Sequence, residues 1–211
     1  MTLGVRRVAA HIPAQTTGPR LPVARQPIWT VNGALVGHEY LYRSEAGLPA
    51  GVDGWVDEHQ EAASASVLAS VCGDDPIDTD GLVFVNVTHG FLTGERDLPD
   101  PAERLVLEVV ETVHADDAVL GGLPALRLDG YLIALDDYVA TPDQVAMLPY
   151  ADFVKVDLRD LDTMPAHALT AARRYGARLV AEHVADRELV LRAVRLGFDL
   201  LQGDELGAAT T

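Results

Sequence analysis

An α/β chain closing a TIM-like (β/α)8 barrel is the fold this sequence predicts, and three observations point to it. Apolar runs of strand length recur six times from residue 82 onward, with segments of helical period between them. Their connections are short and carry helix-start residues. Ahead of them an Asn-Gly turn sits between two more strand patterns, which brings the strands to eight, the number that closes such a barrel.

Residues 1–20, "MTLGVRRVAAHIPAQTTGPR", lack sustained periodicity and read as a flexible arm. "PVARQPIWTV" and "ALVGHEYLYR" flank Asn32-Gly33, so the first two strands should pair antiparallel. A helix is expected at about 55–71, where Trp55, Ala62, Ala63, Val67, Leu68 and Val71 recur near helical spacing. The later strands are expected at 82–87, 104–110, 131–137, 152–158, 178–184 and 198–203, and the helices at about 116–128, 142–148, 164–175 and 186–196. Thr141 before Pro142, and Asp186 before "RELVLRAVRLG", mark two helix starts. Strands this apolar need cover on both faces. A doubly wound open sheet is the alternative, but no glycine-rich phosphate loop follows any strand. The barrel domain is expected over 21–208 with a tail at 209–211, so any closing helix after the eighth strand is short or absent.

The 211 residues, 48% hydrophobic, suit one domain of barrel size. A formal charge of −16 argues against a DNA or RNA duplex as partner, and no apolar run is long enough to cross a bilayer. Cys72 is the only cysteine, which excludes an intrachain disulfide framework. A reduced, cytoplasmic setting is expected. Neither CxxC nor HxxxH spacing occurs to suggest zinc. Among sixteen Lys and Arg residues, Lys155 is the single lysine.

Each apolar strand ends on a residue that buried strands normally exclude. In order these are Glu39, Asn86, Glu108 with Glu111, Asp136 with Asp137, Lys155, Glu182 and Gln202. Taken singly, each has a plainer reading. Asp137 could be a helix cap, Glu111 a solvated loop residue, Asn86 a partner for a buried backbone group, Gln202 a simple turn residue, and Lys155 an ion-pair partner. In a parallel barrel, however, all strands open on one face, where active sites lie. Carboxylates converging there cannot all stay ionised without cations among them. All-oxygen ligands suit Mg²⁺ or Mn²⁺, and two adjacent carboxylates can face two ions, as phosphodiester cleavage by two metals requires.

These residues also lie in tags, "RQPIWTVNGALVGHEYLYR", "FVNVT", "LEVVE", "LDDY", "VKVDL", "AEHV" and "FDLLQGD", whose order resembles that of the EAL domains from about Val23 to Leu206. EAL domains are bacterial signalling modules whose active members hydrolyse cyclic di-GMP to pGpG. Glu39-Tyr40-Leu41 stands in place of the signature Glu-Ala-Leu. The resemblance implies a TIM-like barrel whose early strands break the all-parallel rule. It also implies metal ligands at Glu39, Asn86, Glu108 and Asp136, with Asp137 reaching a second metal. Lys155 and Glu182 would position or activate the attacking water. Gln26, Arg43 and Gln202 would contact the dinucleotide, Arg43 through its planar fork. The chain is most similar to divergent EAL halves that are often joined to an HDOD domain.

It also departs from the family pattern. Asp137 is followed by "YVATPDQ", which lacks the family's glycines and contains Pro142, so the loop cannot take the family's conformation. Glu111 stands at the position that anchors that loop. His183 replaces a glycine, Ala185 replaces a second glutamate, and Asp204 stands where a tyrosine is common. Two readings therefore stay open. One is a metal-dependent cyclic di-GMP phosphodiesterase with weak or absent catalysis, the other a non-catalytic cyclic di-GMP receptor or adaptor for a protein partner or a second copy. A third is another metal-dependent barrel enzyme.

Overall fold

The Asn-Gly signal is realised as a hairpin. The computed structural model describes residues 23–43, 57–73, 80–100 and 104–210. In it β1 (Val23–Thr30) and β2 (Leu35–Tyr42) pair antiparallel. Thr30 N donates to Ala34 O at 2.8 Å and Gly33 N to Thr30 O at 2.9 Å. Gly33 sits at φ +83, the left-handed conformation that a three-residue loop of this kind needs. The arm expected at 1–20, and Trp55, lie outside the described residues.

After α1 (Asp57–Cys72), six strands follow: β3 (Leu82–Val87), β4 (Leu105–Val109), β5 (Leu132–Leu135), β6 (Phe153–Asp157), β7 (Arg178–Glu182) and β8 (Leu200–Gln202). The helices between them are α2 (His89–Thr93), α3 (Asp117–Leu128), α4 (Pro142–Met147), α5 (Ala168–Arg173) and α6 (Arg187–Leu196). All eight strands close into a barrel in chain order. β2 through β8 run parallel, while β1 is antiparallel to both β2 and β8. β1 therefore begins at the end of the barrel where the other strands finish.

Local chemistry accounts for most helix ends. Asp116 and Asp186 accept from Val119 N and Leu189 N as N-caps of α3 and α6. α2 was not expected: five residues are too few for a period to show, and Gly94 at φ +79 ends it. α5 is shorter than the expected 164–175. Pro165 biases Met164 away from helix, and Ala168 N closes a turn on Pro165 O at 2.9 Å before the helix begins. After β8 no helix follows among the described residues. Instead Thr210 exchanges backbone bonds with Arg25, at 2.8 and 3.0 Å, continuing the cover on β1.

Side-chain alternation builds the interior. Paired strand residues share a face, so the register puts Gln26, Glu39 and Phe84 on one side, as it does Asn86, Glu108, Ala134 and Phe153. Ile28, Phe84, Val106, Ala134, Phe153, Val180 and Leu200 form a buried apolar plug. Two residues further along, toward the ends of the parallel strands, the inward positions become Asn86, Glu108, Asp136, Lys155, Glu182 and Gln202. The outward faces and the helices make a second, larger core. The polar layer thus rests on a dry floor.

Candidate active site

Lys155 lies at the centre of that polar layer. Its side chain is 1% exposed, and Nζ is 2.9 Å from Glu108 Oε1, 2.9 Å from Asp136 Oδ1, 3.0 Å from Glu182 Oε1 and 3.2 Å from Glu39 Oε2. Four strand ends thereby converge on a fifth. Burial pulls the ammonium toward its neutral form, but the charges of Asp136, Glu108, Glu182 and Glu39 outweigh it and hold Lys155 well above the usual lysine range. Burial raises Glu108 and Glu182 well above ordinary carboxyl values. Lys155 pulls both back, and the neighbouring carboxylates push them further up.

Gln202 is buried, and its amide donates to both Gln26 Oε1, at 3.1 Å, and Glu39 Oε2. With both amide protons engaged, it reaches the pocket only through its carbonyl oxygen. Arg43, Asn86, Glu111, Asp136 and Asp137 line a cavity of about 100 Å³ beside α1. Glu111 and Asp137 also border a wider opening of about 510 Å³. Asp137 stands at φ +41, and desolvation followed by Asp136 pushes its carboxyl up to about 6. The expected site residues are therefore brought to one mouth of the barrel, with Arg43, Glu111 and Asp137 at its rim.

The oxygens in this layer are under-satisfied. An ammonium has three protons for four carboxylates. Glu108 Oε1 and Asp136 Oδ1 have only that shared ammonium at 2.9 Å, and Asn86 Oδ1, Glu108 Oε2 and Glu182 Oε2 are buried without a hydrogen-bond partner. Such groups cost free energy, and a divalent cation can satisfy several at once. Among the described residues no three Asp, Glu, His or Cys side chains form a coordination group by themselves. The acidic oxygens ring Lys155 instead, so a cation would share them with the ammonium and draw on Asn86. The set is all oxygen and net negative, which fits a hard divalent cation.

Two features escaped the sequence reading. Gln144, 4% exposed, accepts from Val139 N and Thr141 N and donates to the carbonyls of Asp136 and Asp137. Its signal was present: Thr141-x-x-Gln144 is a capping box with Pro142 at the first turn. At the rim, Asp157 binds Arg159 through both carboxylate oxygens and lies 3.1 Å from His183 Nδ1. His183 holds φ +54 where the family has glycine. No sequence spacing announced that trio.

Comparison with known proteins agrees with this geometry. The profile of the EAL domain matches residues 92–209. Cyclic di-GMP phosphodiesterase CdgJ of Vibrio cholerae is 30% identical over 189 residues, covering 86% of this chain and 42% of its own length. The uncharacterized protein YuxH of Bacillus subtilis is 30% identical over 195 residues, covering 87% of this chain and 46% of its own. This chain thus spans less than half of either relative. Among solved structures, Bacillus subtilis YkuI, an EAL-domain protein in complex with substrate c-di-GMP and calcium, superposes with a TM-score of 0.70 at 24% identity. The match covers 90% of this chain and 55% of YkuI. At that identity the likeness speaks for the fold. No described helix is long and apolar enough to cross a membrane. With more than half of the sequence under the family profile and the strand-end residues gathered at one mouth of a closed eight-stranded barrel, the chain belongs to the EAL domain family.

Proposed function

We propose that this domain is a divalent-metal-dependent phosphodiesterase that takes cyclic di-GMP at the barrel mouth and opens it to pGpG, with slow turnover. The observation that carries the reading is the convergence of Glu39, Glu108, Asp136 and Glu182 on one buried ammonium, with Asn86 beside them and several oxygens unpartnered. Glu39, Asn86, Glu108 and Asp136 would hold one cation, and Asp137 a second. Cations so held would withdraw charge from the phosphoryl group as it is attacked.

The chain's own groups account for the rest. Glu182 is buried and its pKa is raised, so its ionised form is a stronger base for a proton of the attacking water, and Lys155 steadies the negative charge that develops. Arg43, with Gln26 deeper in the mouth, would meet the dinucleotide, a phosphate suiting the planar guanidinium. Gln202 acts mainly by holding Glu39. Ala185 cannot replace the family's second glutamate in ordering water, which is the reason to expect slow turnover.

A second reading, a cyclic di-GMP receptor without turnover, is favoured by that same alanine and by the glycine-free loop. Incubation with cyclic di-GMP and Mg²⁺ or Mn²⁺ separates the two. Formation of pGpG, lost in Glu39→Ala, supports the enzyme; tight binding by calorimetry with no product supports the receptor. If the protein neither binds nor cleaves, both readings fall, and a protein partner or a second copy becomes the object of search.

A further inference from the structure

We infer that Gln144 is a positioning residue that fixes the Asp136–Asp137 pair by folding the following loop onto the start of α4; its bearing on metals rests on the phosphodiesterase reading. The side chain is saturated. Its carbonyl oxygen accepts from Val139 N at 2.9 Å and Thr141 N at 3.2 Å, and its amide donates to Asp137 O at 3.0 Å and Asp136 O at 3.4 Å. A primary amide has two donors and one two-lone-pair acceptor, so every bonding position is in use, and a flipped amide would face donors with donors. Thr141 Oγ1 completes the clasp by accepting from Gln144 N at 3.2 Å.

That clasp is needed because the loop holds two non-glycine residues in left-handed backbone, Asp137 at φ +41 and Ala140 at φ +64. Each costs about 1–2 kcal/mol and persists only where surrounding contacts fix it. Neighbouring strands hold only the near side, through Asp136 N to Val109 O at 3.1 Å and Tyr138 N to Lys155 O at 2.9 Å. Gln144 bridges both limbs. The direction of the Asp137 carboxylate follows from the backbone turn that Gln144 closes, so a loop without glycine still presents two adjacent carboxylates at the mouth. Glutamine suits the task, because a carboxylate there would set negative oxygens against two carbonyls.

The test compares wild type with Gln144→Leu and Gln144→Glu by residue-resolved amide exchange, Mn²⁺ titration calorimetry and thermal melting. Gln144→Leu should speed exchange at Val139 and Thr141 by about tenfold, and Gln144→Glu, which keeps the acceptor but sets a carboxylate against the carbonyls of Asp136 and Asp137, should speed it by at least as much. Gln144→Leu should also weaken Mn²⁺ binding by about tenfold while Tm falls only modestly. Unchanged protection in Gln144→Leu, wild-type protection in Gln144→Glu, or wild-type Mn²⁺ affinity despite lost protection overturns the inference. Should Gln144→Leu fail to fold, faster exchange in Gln144→Glu supports the inference and wild-type protection there overturns it. If wild type itself takes up no Mn²⁺ and cleaves nothing, the phosphodiesterase reading falls, and the two amides alone decide whether Gln144 holds the loop.

Discussion

Replacing Lys155 with methionine keeps the volume of the buried side chain and deletes its charge. Four carboxylates, with side chains 0–15% exposed, now face one ammonium; after the change they face one another. Breaking a buried ion pair from one side costs about 3–5 kcal/mol, because the remaining charge is stranded. For a domain of this size each kcal/mol lowers Tm by roughly 2–4 °C, so a fall of about 6–20 °C is expected in metal-free buffer at pH 7.5. The deficit should depend on protons. At pH 5 the stranded carboxyls can take them up, and the loss should shrink to about 1 kcal/mol. Mn²⁺ at a hundredfold over its dissociation constant should return about 2.7 kcal/mol if the carboxylates hold it. Differential scanning calorimetry at the two pH values, with and without Mn²⁺, measures all of this. A loss below about 1 kcal/mol at pH 7.5, or an equal loss at both pH values, would refute the electrostatic account.

Metal-free wild type should itself lose stability as pH rises from about 5 to 8. Glu108, Glu182 and Asp137 all have folded pKa values raised above their unfolded ones, so the folded state binds more protons in that window. Half-buried His38, with its pKa lowered, works the other way as a single group; a Tm that climbs steadily across the range would show that it dominates. Ala140→Gly relieves the left-handed backbone at φ +64, set against the greater unfolded-state freedom of glycine, and should raise stability by about 0.5 kcal/mol in urea melts. A lower urea midpoint would mean that the alanine methyl contributes more than the strain costs. Asp186→Ala removes the cap on Leu189 N and should cost about 1 kcal/mol without touching Mn²⁺ affinity, so a change in metal binding would link α6 to the mouth.

Strand positions were legible because a barrel strand writes its inside and outside into alternate letters. "LVLEV" puts Val106 and Glu108 inward and three aliphatics outward, and its register with β3 and β5 follows. The convergence on Lys155 was legible for the same reason: a polar residue two places beyond an apolar inward one recurs on strand after strand. The short helix α2 was not, since five residues carry no period. The shape of the loop after Asp137 was not legible. The missing glycines set it apart from the family pattern, and the box formed by Thr141 and Gln144 supplies its turn, whose meaning appears only once α4 is seen to start under that loop. The link between Asp157 and His183 needs the neighbouring ends of β6 and β7, where Asp157 pairs with Glu182.

The reversed direction of β1 has a mechanical corollary. Because β1 starts on the side where the parallel strands end, Val23 lies toward the mouth instead of beneath the floor. From there a two-step relay, Gln26 to Gln202 to Glu39, leads into the carboxylate ring. A pull or twist carried along β1 would reach Glu39 both through its strand pairing with Gln26 and through this relay.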